Sequence, residues 1–377
     1  MSGIYIHIPF CKKACHYCDF HFSTSLKYAD EMVEAICKEI KMKKDRTNGQ
    51  VGSIYLGGGT PSILPEAALQ KIFDVIHHTF SVNAGAEITI ETNPDDLTAQ
   101  KLKELKKLPV NRFSVGIQSF YDEDLIWMNR AHQAKDAEDC IKRSQDAGFE
   151  NLTLDLIYGY PLLTDHKWLN NIQKATELEV PHISAYALTV EPRTALAHAI
   201  KNKKQSPPND NQSAAQFIML MKKLADAGFE HYEISNFAKP GHYAVHNTNY
   251  WKGVDYIGIG PSAHGFNGQN RYMNPANNAL YLETLGQNKL PEVVEELSLN
   301  DRFNEYIMTS LRTMWGTDLQ KINYDFGVDF LEETKHNLKN FEDKNWLLIE
   351  GDNIYLSQNG KLFADHIASE LFIVEND

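Results

Sequence analysis

The chain begins with a strand-like run and a cysteine-rich loop, which together read Tyr5-Ile-His-Ile-Pro-Phe-Cys-Lys-Lys-Ala-Cys-His-Tyr-Cys-Asp-Phe20. Three of the five cysteines in the 377 residues crowd into this loop, at Cys11, Cys15 and Cys18. Thiolates at this spacing can converge on one metal centre. Four thiolates would complete a structural zinc site or an iron–sulfur cluster, whereas three leave one metal position open. We therefore expect the chemistry of the protein at that open position.

The same loop also fits a zinc site. Zinc needs a fourth ligand, and His7, His16 and His21 are close enough in sequence to supply one. Spacing favours an iron–sulfur cluster but leaves zinc as an alternative. The other two cysteines, Cys37 and Cys140, fall on helical patterns, where we expect them to be buried as small hydrophobic residues.

Composition and charge exclude several classes of protein. Hydrophobic residues make up 42% and charged residues 23%, as in soluble globular proteins with a sizeable core. The net charge of −13 argues against nucleic-acid binding, which depends on cationic contacts to phosphate. We interpret the one basic run, residues 38–46, as a solvated helix face. No targeting segment or membrane span is recognised, and the few clustered cysteines indicate the reducing cytoplasm.

The first half of the sequence alternates strand and helix patterns. Strands are predicted at 4–8, 53–56, 87–90, 112–117, 153–157 and 182–188, and helices at 28–43, 67–78, 98–108, 134–148 and 168–178. Six strand–helix repeats predict an α/β fold with a parallel sheet, curled into an incomplete TIM-type (β/α)6 barrel. A doubly wound sheet is the alternative, since periodicity does not choose between the two.

The second half has a different pattern. A polar loop at 201–211 precedes a helix at 212–227 and short strands near 231–234 and 256–259, whereas 265–278 is expected to be irregular. Helices at 301–315, 319–324 and 330–343 then lead into a hairpin at 346–356, which resembles a winged-helix module. We predict three domains, at 1–240, 241–296 and 297–377. The acidic balance favours a partner-docking or lid role for the last domain over nucleic-acid binding.

Polar residues and glycines stand where the predicted strands end. Functional residues of α/β barrels gather at these carboxyl ends. The residues that follow the six strands, which we call the strand exits, should therefore line one opening of the barrel. Three glycines allow close approach of a ligand, although a tight turn explains them equally well. Charged side chains of both signs suit a zwitterionic ligand, although each alone fits a structural role. After the cysteine loop, the exits carry Gly57-Gly-Gly-Thr-Pro61, Glu91-Thr-Asn-Pro94, Gln118, Asp155 with Tyr158-Gly-Tyr-Pro161, and Tyr186, and Arg130 follows the fourth.

The hexapeptide His246-Asn-Thr-Asn-Tyr-Trp251 has two interpretations. It fits an amphipathic loop whose aromatic residues, Tyr250 and Trp251, pack in the core. A histidine beside two large aromatic rings also fits a ligand to haem iron, because such rings cover a flat macrocycle. Taken alone, the hexapeptide favours the first interpretation, in which its aromatic residues pack in the core.

Together these motifs resemble the radical S-adenosylmethionine (SAM) family. The Cys-x3-Cys-x2-Cys spacing followed by an aromatic residue is similar to the cluster loop of that family. Gly57-Gly-Gly-Thr-Pro61, Gly116-Ile-Gln-Ser-Phe120 and Asp155-Leu-Ile-Tyr-Gly159 narrow the resemblance to the branch of oxygen-independent coproporphyrinogen III oxidase and its haem-chaperone relatives. It extends over essentially the whole chain.

The resemblance implies a [4Fe–4S] cluster held by Cys11, Cys15 and Cys18. Its fourth iron would bind the amino and carboxylate groups of SAM, and the reduced cluster would cleave SAM to a 5′-deoxyadenosyl radical. Phe20 is expected beside the adenine. The positions that contact SAM in this family are occupied here by Tyr5, Phe20, Gly58, Gly59, Thr60, Glu91, Gln118, Arg130 and Asp155.

Two departures distinguish the chain from the oxidase of this branch. The oxidase has a fourth cysteine where Phe20 stands here, and a long segment before its cluster loop, where only ten residues precede Cys11. Oxidation of coproporphyrinogen III or a related porphyrin is therefore the alternative function, and the chaperone is the leading one.

The hexapeptide matches the H-N-x-x-Y-W motif of the haem chaperones, which reverses the preference for packing. The resemblance implies that haem is cargo delivered to respiratory haem proteins, and it leaves a homodimer and a peripheral membrane contact open. His242 and His264 are candidates for a second axial ligand. The candidate haem contacts are His246, Asn247, Tyr250 and Trp251.

Overall fold

The first half of the chain folds into alternating strands and helices, as its sequence predicts. The computed structural model describes residues 1–47 and 49–374. The parallel strands β1 to β6 pair side by side in chain order. Their bounds are β1 (Ser2–Ile8), β2 (Val51–Gly58), β3 (Val82–Thr92), β4 (Arg112–Gln118), β5 (Leu152–Tyr158) and β6 (His182–Ala187). The helices are α1 (Ala29–Met42), α2 (Glu66–Thr79), α3 (Ala99–Leu105), α4 (Asp122–Trp127), α5 (Ala134–Asp146), α6 (Asp165–Glu177), α7 (Ala195–Lys201) and α8 (Asp210–Asp226).

The alternation of side chains along the strands separates the core from the site. Ile4 and Ile6 of β1 are fully buried in the large apolar core, which also takes up buried residues of the surrounding helices. Tyr5, between them, faces the opposite way and stacks on Tyr55 of β2. Successive strand residues point to opposite faces of a sheet, so one face packs on helices and the other lines the barrel interior. Cys37 and Cys140 are buried, as expected.

The same sheet continues on both sides of the six parallel strands. β8 (Asn236–Ala238) and β7 (Glu230–Glu233) follow β6, and β9 (Tyr256–Ile259) pairs in parallel with β1. β10 (His264–Phe266), β11 (Asn270–Met273) and β12 (Val293–Glu296) complete this edge in antiparallel pairing. The expectation that 265–278 is irregular is therefore wrong for 265–266 and 270–273. Strands this short show little periodicity, and their neighbours in the sheet hold them in place.

The basic run 38–46 is also not simply a solvated face. Lys43 is buried and pairs with Glu39 and Glu292, each at 2.8 Å. Arg46 pairs with Glu292 as well. A buried ammonium needs such partners, because its desolvation is costly. Since Glu292 lies about 250 positions away in the chain, the sequence pattern does not reveal it.

Four helices in the described part of the chain and a small sheet form the C-terminal region around a second apolar core. The first helix ends earlier than predicted, because Arg312 and Met314 hydrogen-bond to the backbone beside β7. None of the helices in the described ranges is long and apolar enough to cross a membrane. The elements after β8 are α9 (Val245–Trp251), α10 (Asn278–Gly286), α11 (Leu299–Leu311), β13 (Thr317–Asp318), α12 (Leu319–Asp325), α13 (Val328–Leu338), β14 (Leu347–Glu350), β15 (Asn353–Leu356) and α14 (Ala364–Glu370).

Candidate functional site

The six strand exits open into one cavity of about 820 Å³. The cysteine loop forms one side of this cavity, and Arg312, Lys361 and Asp365 of the C-terminal region contribute to another. Tyr5 is not part of the lining, because its ring lies deeper, against Tyr55. The predicted site residues that line the cavity are Cys11, Cys15, Cys18, Phe20, Gly58, Gly59, Thr60, Glu91, Gln118, Arg130, Asp155 and Tyr186.

Backbone hydrogen bonds position the cysteine loop against the end of β2. The Gly59 and Thr60 N–H groups donate to the carbonyl oxygens of Ile8 and Phe10, at 2.9 and 2.6 Å. A Cβ at Gly59 would lie 2.5 Å from the Phe10 carbonyl oxygen. Gly58 has a φ of +97°, in the left-handed region that favours glycine. These glycines are therefore required by the close approach of the cysteine loop, whichever ligand the cavity binds.

The three cysteine thiols are free and partly buried. Thr60 Oγ1 lies 3.6 Å from Cys11 Sγ, and Arg130 Nη1 lies 3.3 Å from Cys15 Sγ. Burial raises the pKa of the Cys11 thiol to about 11 and that of Cys18 to about 12. Only deprotonated thiols bind metal, so loading this loop must release protons.

The arrangement around the thiols fits a cluster better than a four-ligand zinc site. His7 bonds to the Tyr5 hydroxyl and the His21 carbonyl, His16 bonds to the Trp127 carbonyl, and His21 bonds to Asn278. Of these histidines, only His7 has both ring nitrogens in hydrogen bonds, whereas His16 and His21 each use one nitrogen and could bind a metal through the other. Among residues 1–47 and 49–374, no three His, Cys, Asp or Glu side chains surround a single metal-ion position. Three thiols beside an open cavity instead suit an iron–sulfur cluster with one corner accessible to a ligand.

Two acidic side chains stand on one wall of the cavity. Glu91 accepts hydrogen bonds from the Tyr55 hydroxyl at 2.8 Å and from the Gly58 N–H at 3.1 Å. Asp155 accepts from the Ser114 hydroxyl at 3.1 Å. Burial raises the pKa of Glu91 to about 7 and that of Asp155 to about 6. The negative charge of Asp155 also contributes to the raised pKa of Glu91. A cationic ligand would stabilise the ionised forms.

Arg130 supplies the opposite charge. Its Nη2 donates to Asn93 Oδ1 at 2.5 Å and to the Gly116 carbonyl at 2.8 Å, and these bonds hold the guanidinium beside the cysteine loop. Its Nε is buried and has no hydrogen-bond partner among the described residues. Near the cysteine loop the cavity thus presents acidic groups and the Arg130 guanidinium, as expected for a ligand that carries both an ammonium and a carboxylate.

The hexapeptide forms most of helix α9, and its residues lie in different environments. The N–H groups of Val245 and His246 donate to the Glu87 carboxylate, which anchors the start of the helix to β3. His246 Nδ1 lies 3.0 Å from Ser53 Oγ, and its ring packs 5.2 Å from that of Tyr55. Burial lowers the pKa of His246 to about 4, so the ring is neutral.

The structure therefore corrects the packing interpretation of the hexapeptide. Tyr250 is 46% exposed, so it is not a core residue, and the segment is a helix rather than a loop. The packed residue is His246, and its coordination to haem iron would require a rearrangement of the contact with Ser53. Asn247 is partly buried, and Trp251 packs against Arg312, whose guanidinium carbon lies 5.5 Å from the indole centroid. His242 and His264 are exposed and lie outside the cavity lining.

Tyr55, Arg312 and Lys361 line the site but were not among the sequence-based candidates. Tyr55 connects Glu91 to His246, because its hydroxyl bonds to one and its ring packs on the other. Its position two residues before Gly57, on the same face of β2, was a usable signal. Arg312 and Lys361 had no such signal, since only the packing of the C-terminal region brings them to the cavity.

Two family models and several curated relatives match this chain. The Radical SAM superfamily model matches residues 5–175, and the HemN C-terminal domain model matches residues 297–363. The heme chaperone HemW of Bacillus subtilis is 34% identical over 372 residues, which cover 97% of this chain and 98% of that protein. This chain belongs to the HemW family. HemW of Escherichia coli is 36% identical over 270 residues, or 70% of this chain and 69% of that protein.

A solved structure shows that this HemW family member shares a known fold. Coproporphyrinogen III oxidase (HemN) of Escherichia coli, described as a radical SAM enzyme, superposes with a TM-score of 0.86 and 22% identity. The match covers 98% of this chain and 89% of that one. The predicted incomplete α/β barrel with a helical C-terminal region is confirmed, as is the resemblance to the radical SAM family.

Proposed function

We propose that this protein is a cytoplasmic haem chaperone, which binds haem and delivers it to respiratory haem proteins. The observation that carries the proposal is the near full-length similarity to proteins named heme chaperone HemW. The H-N-x-x-Y-W hexapeptide on α9 supports it, because it places His246, Asn247, Tyr250 and Trp251 on one short helix. These four residues are the proposed haem contacts.

We also propose a [4Fe–4S] cluster on Cys11, Cys15 and Cys18, with SAM beside it. When bound, the cluster supplies an open iron for SAM and the electron that cleaves it. Gly58, Gly59 and Thr60 shape the wall next to the cysteine loop. Glu91 and Asp155 attract an ammonium group, while Arg130 attracts a carboxylate.

The remaining proposed SAM contacts have separate roles. Phe20 is 68% exposed at the cavity rim, where its ring is available to stack on an adenine. Gln118 has a φ of 68° at the end of β4, and this unusual conformation directs the chain around the cavity wall. Tyr5 supports Tyr55 from below, and Tyr55 holds Glu91.

Haem titration tests the chaperone proposal. We expect haem to shift the Soret band of the parent protein in a saturable way. His246→Ala should weaken binding or change the spectrum, because the proposed iron ligand is lost. His78→Ala, which removes an exposed histidine of α2, is the matched control and should behave as the parent. If His246→Ala binds haem as tightly as the parent with the same spectrum, the assignment of His246 is wrong.

A turnover assay separates the chaperone from the alternative oxidase. The cluster-loaded protein is incubated without oxygen with dithionite, SAM and coproporphyrinogen III. We expect no protoporphyrinogen, because Phe20 replaces the fourth cysteine of the oxidase. Product formed over many turnovers would reject the chaperone-only view. Cleavage of SAM without a porphyrin product would indicate a different substrate.

A further inference from the structure

Lys361 is a partly buried cation on the cavity wall, and its hydrogen-bond partner is a histidine rather than an acidic residue. It lies in the short 3₁₀ helix Gly360–Phe363 and lines the cavity that the cysteine loop also lines. Its Nζ lies 2.9 Å from Nδ1 of His231. Among the side chains that the structure describes, no carboxylate forms an ion pair with Lys361.

The partner of Lys361 is neutral. His231 Nε2 lies 3.0 Å from the Ile234 carbonyl oxygen, so Nε2 carries the proton and donates it. Nδ1 then has a lone pair that accepts from the lysine ammonium. Burial lowers the pKa of His231 to about 3 and that of Lys361 to about 8. Near neutral pH the pair is therefore a neutral imidazole and a mostly protonated lysine.

An ammonium in this position favours an anionic ligand. Partial removal of a charge from water is unfavourable, and a neutral hydrogen-bond partner offsets only part of that cost. An anion in the cavity next to Lys361 would recover more. The cavity leads directly to this position, because Lys361 is part of its lining.

Arg312 adds a second cation to the same wall. Its Nη1 pairs with Asp365, whose side chain is 74% exposed, and its Nε is buried without a hydrogen-bond partner among the described residues. Its guanidinium also packs on Trp251 of the hexapeptide. Asp365 offsets part of the Arg312 charge, so Lys361 is the stronger attraction for an anion.

The rest of the wall indicates what kind of molecule carries the anion. Tyr158, Leu188, Phe217 and Leu362 line the cavity near the C-terminal region and present apolar surface. The cavity of about 820 Å³ also has to hold the proposed cluster and SAM, so only the part beside this wall is open to a further ligand. An apolar ligand with carboxylates at its edge matches this combination of cationic and apolar side chains.

We propose that Lys361, assisted by Arg312, binds a carboxylate of the tetrapyrrole that the protein handles. This inference rests on the proposed haem function and adds a contact outside the hexapeptide. It also gives Trp251 a positioning role, because its indole supports the guanidinium of Arg312. SAM is the other source of a carboxylate in the cavity, and the experiment separates the two.

The test compares haem with haem dimethyl ester, which lacks free carboxylates, in the same detergent. For the full-length protein, we expect Lys361→Met to weaken haem binding about ten-fold, as loss of a charge-assisted contact does. Binding of the ester should change less than two-fold, and so should binding of SAM to the cluster-loaded protein. Lys361→Arg should restore most of the haem affinity. Lys339→Met, at an exposed position of the same region, is the matched control.

Several results would overturn the inference. Equal losses for haem and its ester would show that Lys361 acts through structure, and thermal unfolding of each variant checks this. Weakened SAM binding with unchanged haem binding would assign the carboxylate to SAM instead. Unchanged binding of every ligand would reject the contact while leaving the haem function intact. Absence of saturable haem binding by the parent would reject both proposals.

Discussion

Replacement of Glu91 by glutamine is expected to stabilise the metal-free protein at alkaline pH. Burial and the neighbouring Asp155 raise the pKa of Glu91 from its ordinary 4.5 to about 7. The folded protein therefore binds more protons than the unfolded chain between these values. Stability of the parent must then fall as the pH rises through this range, because ionised Glu91 is disfavoured only in the folded state.

The size of the effect follows from the same pKa values. Each pH unit between the folded and unfolded pKa corresponds to about 1.4 kcal/mol, which gives an upper limit of about 3 kcal/mol. Glu91 is only partly buried and faces the cavity, so we expect about half of that limit. Glutamine keeps an acceptor for the Gly58 N–H and a donor towards the Tyr55 hydroxyl, but it never ionises.

Urea unfolding of metal-free, reduced protein at pH 5, 6, 7 and 8 measures the difference. Glu91→Gln should match the parent at pH 5 and exceed its free energy of unfolding by about 1.5 kcal/mol at pH 8. Glu150→Gln, at an exposed position, should show no pH-dependent difference from the parent. A variant that is less stable than the parent at pH 8, or a difference that does not change with pH, would refute this reasoning.

Three other perturbations have defined outcomes. In the cluster-loaded protein, Glu91→Gln should weaken SAM binding ten-fold or more in equilibrium dialysis, because a charge-assisted contact to the ammonium is lost; unchanged affinity would contradict this role. Gly59→Ala should lower the free energy of unfolding in urea by about 1–3 kcal/mol and lower the iron content, since the added Cβ overlaps the Phe10 carbonyl. Gly286→Ala, at a position with open space around it, should change neither quantity. Glu39→Gln should lower the free energy of unfolding by about 3 kcal/mol, because buried Lys43 loses one of its two carboxylate partners. A loss below about 1 kcal/mol would contradict this expectation.

The barrel was predictable because its signals are local. Each parallel strand is a short run of β-branched and apolar residues, and each exit carries glycines or polar residues next to it. These local features are sufficient to place the cysteine loop, Glu91 and Asp155 at one end of the barrel. Strand β3 is longer than predicted, since Val82–Ala86 continues the strand through a polar, partly exposed stretch.

The parts that were not predictable depend on contacts between distant segments. Lys361 reaches the cavity only because the C-terminal region packs beside β7, and its partner His231 is 130 positions away. The orientation of His246 depends on Ser53 and Tyr55, far away in sequence. Sequence similarity identified the hexapeptide, but only the structure shows that its histidine faces the barrel interior while Tyr250 faces solvent.

The open iron is the central claim, and electron paramagnetic resonance tests it most directly. The protein is reconstituted without oxygen with iron and sulfide, reduced with dithionite, and measured with and without SAM. We expect about four irons per chain on Cys11, Cys15 and Cys18, as the proposed [4Fe–4S] cluster requires, and a reduced-cluster signal that changes when SAM is added. Tightly bound zinc with no uptake of iron, or a cluster signal that SAM does not alter, would contradict the account.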